Sequence, residues 1–326
     1  MQMVHAIRIH EPGGSNKLSW DEISLSDPGP GEVRIRQTAI GLNFIDIYMR
    51  SGLYPLTEFP AILGMEAAGY VTGIGEDVVS VAVGDRVAYC MVPGAYAEER
   101  NVPAEKLLKL PDSIDNQTAA AMMLKGMTAH YLLYRSYPVQ PGDSILVMAA
   151  AGGVGLILCQ WAKHLGATVI GCVGSDEKAA LAKANGADHI IMYKDESIPE
   201  RVKQITDGEG VAASYDSIGQ ATFEDSLNSL RPFGVMVTYG NASGPVEPFS
   251  PAILAPKGSL YVTRPTLATH TATRPLLEEG GQRLFDVVEN GIVKVLAKQT
   301  YPLKDTASAH DDLEHRNTTG STVLLP

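Results

Sequence analysis

The sequence predicts an α/β protein of two domains, one mostly β and one built on a doubly wound parallel sheet. Three observations lead there. The chain has 326 residues, enough for two domains of ordinary size. Residues 1–125 run in short alternating segments broken by turns, whereas from about residue 126 apolar runs alternate with helical patterns. The glycine-rich turn Ala149-Ala150-Ala151-Gly152-Gly153-Val154-Gly155 joins the apolar run Ser144–Met148 to the helical pattern Leu156–Leu165.

In chain order, Val4-Ala6-Arg8 opens a strand, and Gly31–Ile40 alternates as a half-buried strand does. Turns follow at Pro28–Gly31, Gly73–Gly75 and Val83–Arg86. The second domain reads as six strands: Ile145–Ala149, Thr168–Val173, His189–Met192, Ala212–Asp216, Val235–Tyr239 and Ser259–Thr263. Helices Glu177–Asn185 and Phe223–Leu230 lie among them. The tail reads as helix Leu276–Asn290, strand Val293–Val295, helix Ala307–Arg316 and strand Ser321–Leu325. A final strand that returns to the first domain makes residues 126–265 an insertion between 1–125 and 266–326.

Composition narrows the function. Hydrophobic residues are 45% and charged residues 19%, as in a globular protein. The net charge of −11 and the absence of a Lys or Arg run argue against nucleic acid and anionic membrane as partners. Cys90, Cys159 and Cys172 form neither a disulfide framework nor a zinc motif, and Cys159 and Cys172 are expected to be buried thiols. No apolar signal core or membrane-length run is seen, so a soluble cytoplasmic protein is expected. His130, His164 and His310 have no partner pattern and are expected in surface or capping roles.

Strand, glycine turn and helix together read as a dinucleotide site, with a merely structural tight turn as the alternative. Glycine lets the backbone approach a pyrophosphate, and the helix N-terminus offers free N–H groups. Ala150, Gly152 and Gly155 stand in the three positions of the G-x-G-x-x-G pattern, with Gly153 and Val154 completing the turn. Strand ends at Gly174, Tyr193, Gly219 and Gly240 mark the same edge of the sheet. An NAD site places an acid after the second strand. Here Gly174-Ser175 follows, with Lys178 three residues on and Tyr193 after the third strand, which favours NADPH. Asp176 and Glu177 sit nearby and are read as first-turn helix residues facing solvent.

The segment Gly41-Leu42-Asn43-Phe44-Ile45-Asp46-Ile47-Tyr48-Met49-Arg50-Ser51-Gly52-Leu53-Tyr54-Pro55 resembles the N-terminal signature of the NADPH-dependent quinone oxidoreductases. These belong to the zinc-independent branch of the medium-chain dehydrogenase/reductase superfamily. Leu63–Gly69, Val83–Val87, Ala150–Gly155 and Gly258–Pro265 resemble it too, so the likeness runs the whole length and is greatest to the bacterial, zeta-crystallin-like members. It implies a GroES-like catalytic domain made from both chain ends around a Rossmann domain. It also implies a homodimer joined near Ser259–Thr263. Zinc-dependent relatives carry Cys and His near the places of Asn43 and Met65. An amide and a thioether are poor substitutes at zinc, so no metal is expected.

The resemblance assigns Asn43, Tyr48 and Tyr54 to a pocket against the nicotinamide, as hydrogen-bond donors to a developing oxyanion. Tyr48 also reads as a buried aromatic, and Tyr54 as a surface residue. Asp46 either orients its own loop or transfers protons. Thr128, Gly219, Gly240, Asn241, Thr263, Arg264 and Arg316 are carried over as cofactor contacts, with Arg264 also at the catalytic centre. The expected activity is hydride or electron transfer from NADPH to quinones. A reductase of enone or alkenal double bonds is the alternative enzyme, and a crystallin-like or RNA-binding role the alternative outside catalysis.

Overall fold

The computed structural model describes residues 2–326, which divide into two units. One comprises Met1–Met127, Thr271–Glu289 and Val295–Pro326; the other comprises Thr128–His270 and Asn290–Lys294. The break between Met127 and Thr128 falls inside a helix.

The N-terminal stretch holds strands β1 (Gln2–Ile9), β2 (Ser19–Leu25) and β3 (Glu32–Leu42), helix α1 (Phe44–Ser51), and strands β4 (Ala61–Ile62), β5 (Glu66–Ile74), β6 (Arg86–Cys90), β7 (Glu99–Pro103) and β8 (Leu108–Lys109). Helix α2 (Asn116–Tyr131) leads out of it. Then come β9 (Ser144–Val147), α3 (Gly153–His164), β10 (Thr168–Val173), α4 (Asp176–Ala184), β11 (His189–Met192), α5 (Ile198–Ile205), β12 (Val211–Asp216), α6 (Phe223–Asn228), β13 (Leu230–Thr238) and β14 (Tyr261–Thr263). The tail holds α7 (Leu267–His270), α8 (Arg274–Glu289), β15 (Ala297–Pro302), α9 (Thr306–Glu314) and β16 (Ser321–Leu325).

In the first unit β16 pairs antiparallel with β3, so the chain end completes the sheet that the N-terminus began. That sheet runs β15-β16-β3-β5-β6-β8, with β7 also on β3, and a smaller sheet runs β2-β1-β4. Ile35, Ile40, Val71, Val87, Tyr89 and Tyr96 lie in its core. The second unit is one sheet in the order β11-β10-β9-β12-β13-β14, every pair parallel. The order reverses between β9 and β12, the switch point at which such sheets bind ligands. Its core gathers Leu146, Met148, Ile170, Ile191 and Met236.

Two expected strands change. No strand covers Val293–Val295. The Gln160 side chain accepts the Lys294 N–H at 2.9 Å and donates to its carbonyl at 3.2 Å, so neither group joins a ladder; the strand forms later, at Ala297. Likewise β14 starts at Tyr261 because Ser259 adopts a positive φ of 55° and bonds back to Ala255. Helix α9 ends at Glu314, short of Arg316.

Candidate active site

The glycine turn is held by backbone bonds. Met148 N–H donates to the Tyr215 carbonyl, Ala150 N–H to that of Cys172 and Gly152 N–H to that of Ala149. The first bond of α3 runs from Leu156 to Gly152, so the N–H groups of Gly153, Val154 and Gly155 precede its ladder. A Cβ on Gly155 would lie 2.4 Å from the Ala149 carbonyl oxygen, so this glycine is demanded by the turn itself. On Gly152 the nearest atom would be 3.2 Å away, so the fold demands this glycine far less. Ala150 replaces a glycine because Gly171 on β10 leaves room for its methyl, 2.8 Å from where a Cβ would stand.

At the end of β10, Gly174 lies under the Tyr193 ring: a Cβ there would meet the hydroxyl oxygen at 2.4 Å. Ser175 caps α4 and its hydroxyl accepts the Lys178 N–H at 3.4 Å. Tyr193 thus packs on Gly174, and Ser175 holds the backbone of Lys178, with Asp176 and Glu177 in the first turn of α4.

The loops after β12 and β13 are laced together. Ser243 N–H donates to Ile218 O, Ala242 N–H to Ser217 O and Ala221 N–H to the Ser243 hydroxyl. A Cβ on Gly219 would come within 2.4 Å of Gly244 O, and one on Gly240 within 2.3 Å of Ser217 O. Both glycines serve this lacing, and Asn241 sits within it. Asp216, fully buried, anchors it: Oδ1 accepts Ile218 and Gly219 N–H at 2.7 and 3.1 Å, and Oδ2 accepts the Thr222 and Ser226 hydroxyls at 2.7 and 2.8 Å. Arg264 follows Thr263 at the exposed end of β14, and its charge opposes the upward push of burial on the Tyr131 hydroxyl. Tyr131 stacks on His270 at 4.5 Å. Thr128 is buried late in α2, far from the helix start.

In the first unit, Asn43 caps α1, where Asp46 Oδ2 accepts its backbone N–H at 2.9 Å. Tyr48 is buried on this helix, and its ring meets the half-buried Tyr54 edge-on at 5.2 Å. The Asn43 amide Nδ2 donates to Glu66 Oε1 at 2.7 Å, so the amide's carbonyl end points away from Glu66. Asn43 is expected as an oxyanion donor; one of its two amide hydrogens is taken by this carboxylate. Glu66 Oε1 also accepts from the buried Lys125 ammonium at 3.0 Å.

Behind α1 lies a buried polar chain. Arginine can only donate, so Arg50 Nη1 donates to His310 Nδ1 at 3.1 Å. His310 then carries its proton on Nε2 and donates to the Tyr96 oxygen at 3.0 Å; the Tyr96 hydroxyl donates to Asp46 Oδ2 at 2.8 Å. Arg50 also binds Glu314 at 2.6 Å. Burial, partly offset by the Tyr96 bond, pushes Asp46 up to about 7. Burial, reinforced by the Arg50 charge, pushes His310 down to about 3. His310 is thus a core residue and not the surface or capping histidine expected; His130 is buried too, beside Tyr134 and Trp161. Arg316 stands in the turn after α9, at a positive φ of 62°.

Known proteins resemble the chain along its length. Residues 29–112 match the alcohol dehydrogenase GroES-like domain, and residues 153–279 the family described as zinc-binding dehydrogenase. A quinone oxidoreductase of Pseudomonas aeruginosa is 49% identical over 99% of this chain and 100% of its own. The chain belongs to the quinone oxidoreductase family. A 2-haloacrylate reductase of a Burkholderia species is 46% identical, covering 99% of each chain. The crystal structure of Escherichia coli quinone oxidoreductase complexed with NADPH superposes with a TM-score of 0.97 at 46% identity, over 99% of this chain and 100% of that one. The fold is accordingly a GroES-like domain with a Rossmann domain.

The zinc in one family description finds no donor set in this quinone oxidoreductase. Among the described residues no group of three or more His, Cys, Asp or Glu could hold a metal. Asn43 and Met65 offer an amide and a thioether, and the Glu66 carboxylate is already paired with an ammonium. Sequence reasoning missed Glu66, Lys125, Tyr96, His310 and Asp216 as organising residues, because each finds its partners through the fold. Among the described residues no helix is long and apolar enough to cross a membrane.

Proposed function

We propose that this protein is an NADPH:quinone oxidoreductase. One observation carries the reading: a glycine turn suited to a dinucleotide is joined in one chain to Asn43, Tyr48 and Tyr54, with no donor set for a metal among the described residues. Bound NADPH supplies a hydride. A site whose Asn43 and Met65 offer an amide and a thioether, poor ligands for a metal, suits an acceptor that is already electrophilic, as a quinone is. In the two-electron form, NADPH, a proton and the quinone give NADP⁺ and the hydroquinone.

The N–H groups of Gly153, Val154 and Gly155, together with Gly152, cradle the pyrophosphate. Ser175, Lys178 and Tyr193 take the 2′-phosphate beside Gly174, where an NAD enzyme needs an acid. Gly219, Gly240, Asn241, Thr263 and Arg264 hold the nicotinamide half from the strand ends, with Thr128, and Arg316 completes the contacts. Asn43 accepts a hydrogen bond from the cofactor through its carbonyl oxygen. Tyr48 and Tyr54 orient the acceptor and donate to its oxygen, with Arg264 supplying charge near the reacting atoms. The pairing of Gly174 with Tyr193 and the capping hydroxyl of Ser175 support the NADPH preference.

A second copy of the chain is expected along β14, an edge strand with Tyr261 60% exposed, beside Phe233 of β13, which is 69% exposed and donates its N–H to the Gly258 carbonyl at 2.8 Å. The enzyme is read as cytoplasmic, in keeping with its free buried thiols. An activated carbon–carbon double bond is the second reading, favoured by the 2-haloacrylate reductase among the relatives. Incubation with NADPH and, separately, 1,4-naphthoquinone, 9,10-phenanthrenequinone and 2-alkenals separates the two. Turnover on the quinones is expected. Inactivity on every quinone overturns the main reading.

A further inference from the structure

Glu66 is a fully buried carboxylate, and three elements converge on it. Oε1 accepts from Asn43 Nδ2 at 2.7 Å and from Lys125 Nζ at 3.0 Å, while Oε2 accepts the Leu124 N–H at 2.5 Å. Lys125 Nζ also donates to the Leu42 carbonyl at 3.1 Å. Gly41 stands opposite Glu66 in the β3–β5 register. A Cβ on it would lie 2.2 Å from Oε1, so this glycine makes the space that the carboxylate fills.

We propose that Lys125 and Glu66 are a positioning pair that sets which end of the Asn43 amide is offered to the cofactor. The inference rests on the proposed contact of Asn43 with NADPH. Stability alone does not account for the pair, because buried ion pairs add little over apolar residues of the same volume. An apolar pair could not choose between the two ends of an amide. An ionised carboxylate can, since it only accepts hydrogen bonds: Nδ2 must face it, and the carbonyl oxygen is left for a hydroxyl or N–H of the ligand. Lys125 sets a cation against the carboxylate in a place closed to water. The other groups acting on Glu66 are Asp46 on α1, Tyr89 and Cys90 on β6, and Tyr96. Of these only Asp46 titrates near neutral pH, and Lys125 is the cation bonded to Glu66.

The test reads NADPH binding by the fluorescence of its nicotinamide ring, with thermal unfolding alongside, and does not depend on any acceptor. Asn43→Ala and Glu66→Gln should each weaken binding about tenfold, the worth of one good hydrogen bond. The double variant should bind no more weakly than Asn43→Ala alone, because Glu66 acts only through Asn43. Lys125→Met, which leaves the carboxylate without its cation, should weaken NADPH binding, and Lys125→Arg should restore it. If Lys125→Met does not fold, Lys125→Met with Glu66→Gln leaves no unpaired charge at this pair and should bind NADPH about tenfold more weakly. Additive losses in the Asn43/Glu66 double variant overturn the proposal, as does wild-type affinity in folded Glu66→Gln. Failure of the wild-type protein to bind NADPH overturns the cofactor reading itself, a different result.

Discussion

Replacing Asp46 by Asn should change the sign of its effect on stability between acid and mildly alkaline pH. Asp46 titrates near 7 in the folded protein, against an ordinary value of 3.8. Its contribution is therefore fully present below pH 3.8 and lost as the pH rises to about 7, a change on the order of 4 kcal/mol. Asn cannot ionise, so the variant avoids this loss. It has its own cost. The amide oxygen must take the Asn43 N–H and the Tyr96 hydroxyl, which leaves the NH₂ at the place of Oδ1, a buried atom with no partner. An unsatisfied buried donor costs about 1–3 kcal/mol. The variant should be less stable than wild type by that amount near pH 4 and more stable by roughly 1–3 kcal/mol at pH 8, crossing between about pH 4.5 and 6. His310 adds a second signature of opposite sign. Its folded value near 3 means that stability is present above 6.5 and lost as the pH falls toward 3. In wild type the two slopes oppose one another over about pH 4–6.5. Asp46→Asn exposes the histidine slope, up to about 1.4 kcal/mol per pH unit. Urea unfolding followed by circular dichroism at pH 4.5, 6 and 8 measures this. A constant difference between the two proteins at every pH refutes the reasoning.

Other outcomes follow from single contacts. Lys178→Ala should raise the Michaelis constant for NADPH by about 10- to 150-fold, as for loss of a charge-assisted bond, and leave NADH nearly unchanged; equal effects on both remove the reason for naming it. Gly152→Ala should keep wild-type stability and bind NADPH poorly, whereas Gly155→Ala should lower the melting temperature by several degrees; a stability loss of equal size in both contradicts the separate reasons given for the two glycines. Asp216→Ala orphans two N–H groups and two hydroxyls and should cost roughly 3–5 kcal/mol in urea unfolding. Asp216→Asn should cost only about 1 kcal/mol, since the hydroxyls can turn and accept. An Asp216→Ala protein as stable as the Asn variant shows that the carboxylate does not anchor the loops.

What was legible in the sequence was what repeats locally. The parallel sheet shows as apolar runs ending in glycine, and His189–Met192 and Thr168–Val173 are strands with the bounds expected. Features that depend on distant partners did not show. Val293–Val295 has the composition of a strand, yet Gln160 from α3 takes its hydrogen bonds. Lys125 and Glu66 lie 59 positions apart, and Tyr96 and His310 lie 214 apart. Neither pair leaves a spacing to read, because topology and not periodicity brings the two together. Helix α1 was hidden for another reason: its Asn43–Ser51 stretch was legible as a family signature, which drew attention to chemistry rather than to the cap that Asn43 and Asp46 form.

The central claim is hydride delivery from NADPH to a quinone. The most direct measurement is the loss of NADPH absorbance on adding 1,4-naphthoquinone to the purified protein, repeated with NADH in its place. Enzyme-dependent oxidation of NADPH, with NADH at least tenfold less efficient at equal concentration, is the predicted result, the margin being one charge-assisted contact at the 2′-phosphate. No oxidation of NADPH by any quinone, in a protein that still binds NADPH, contradicts the account.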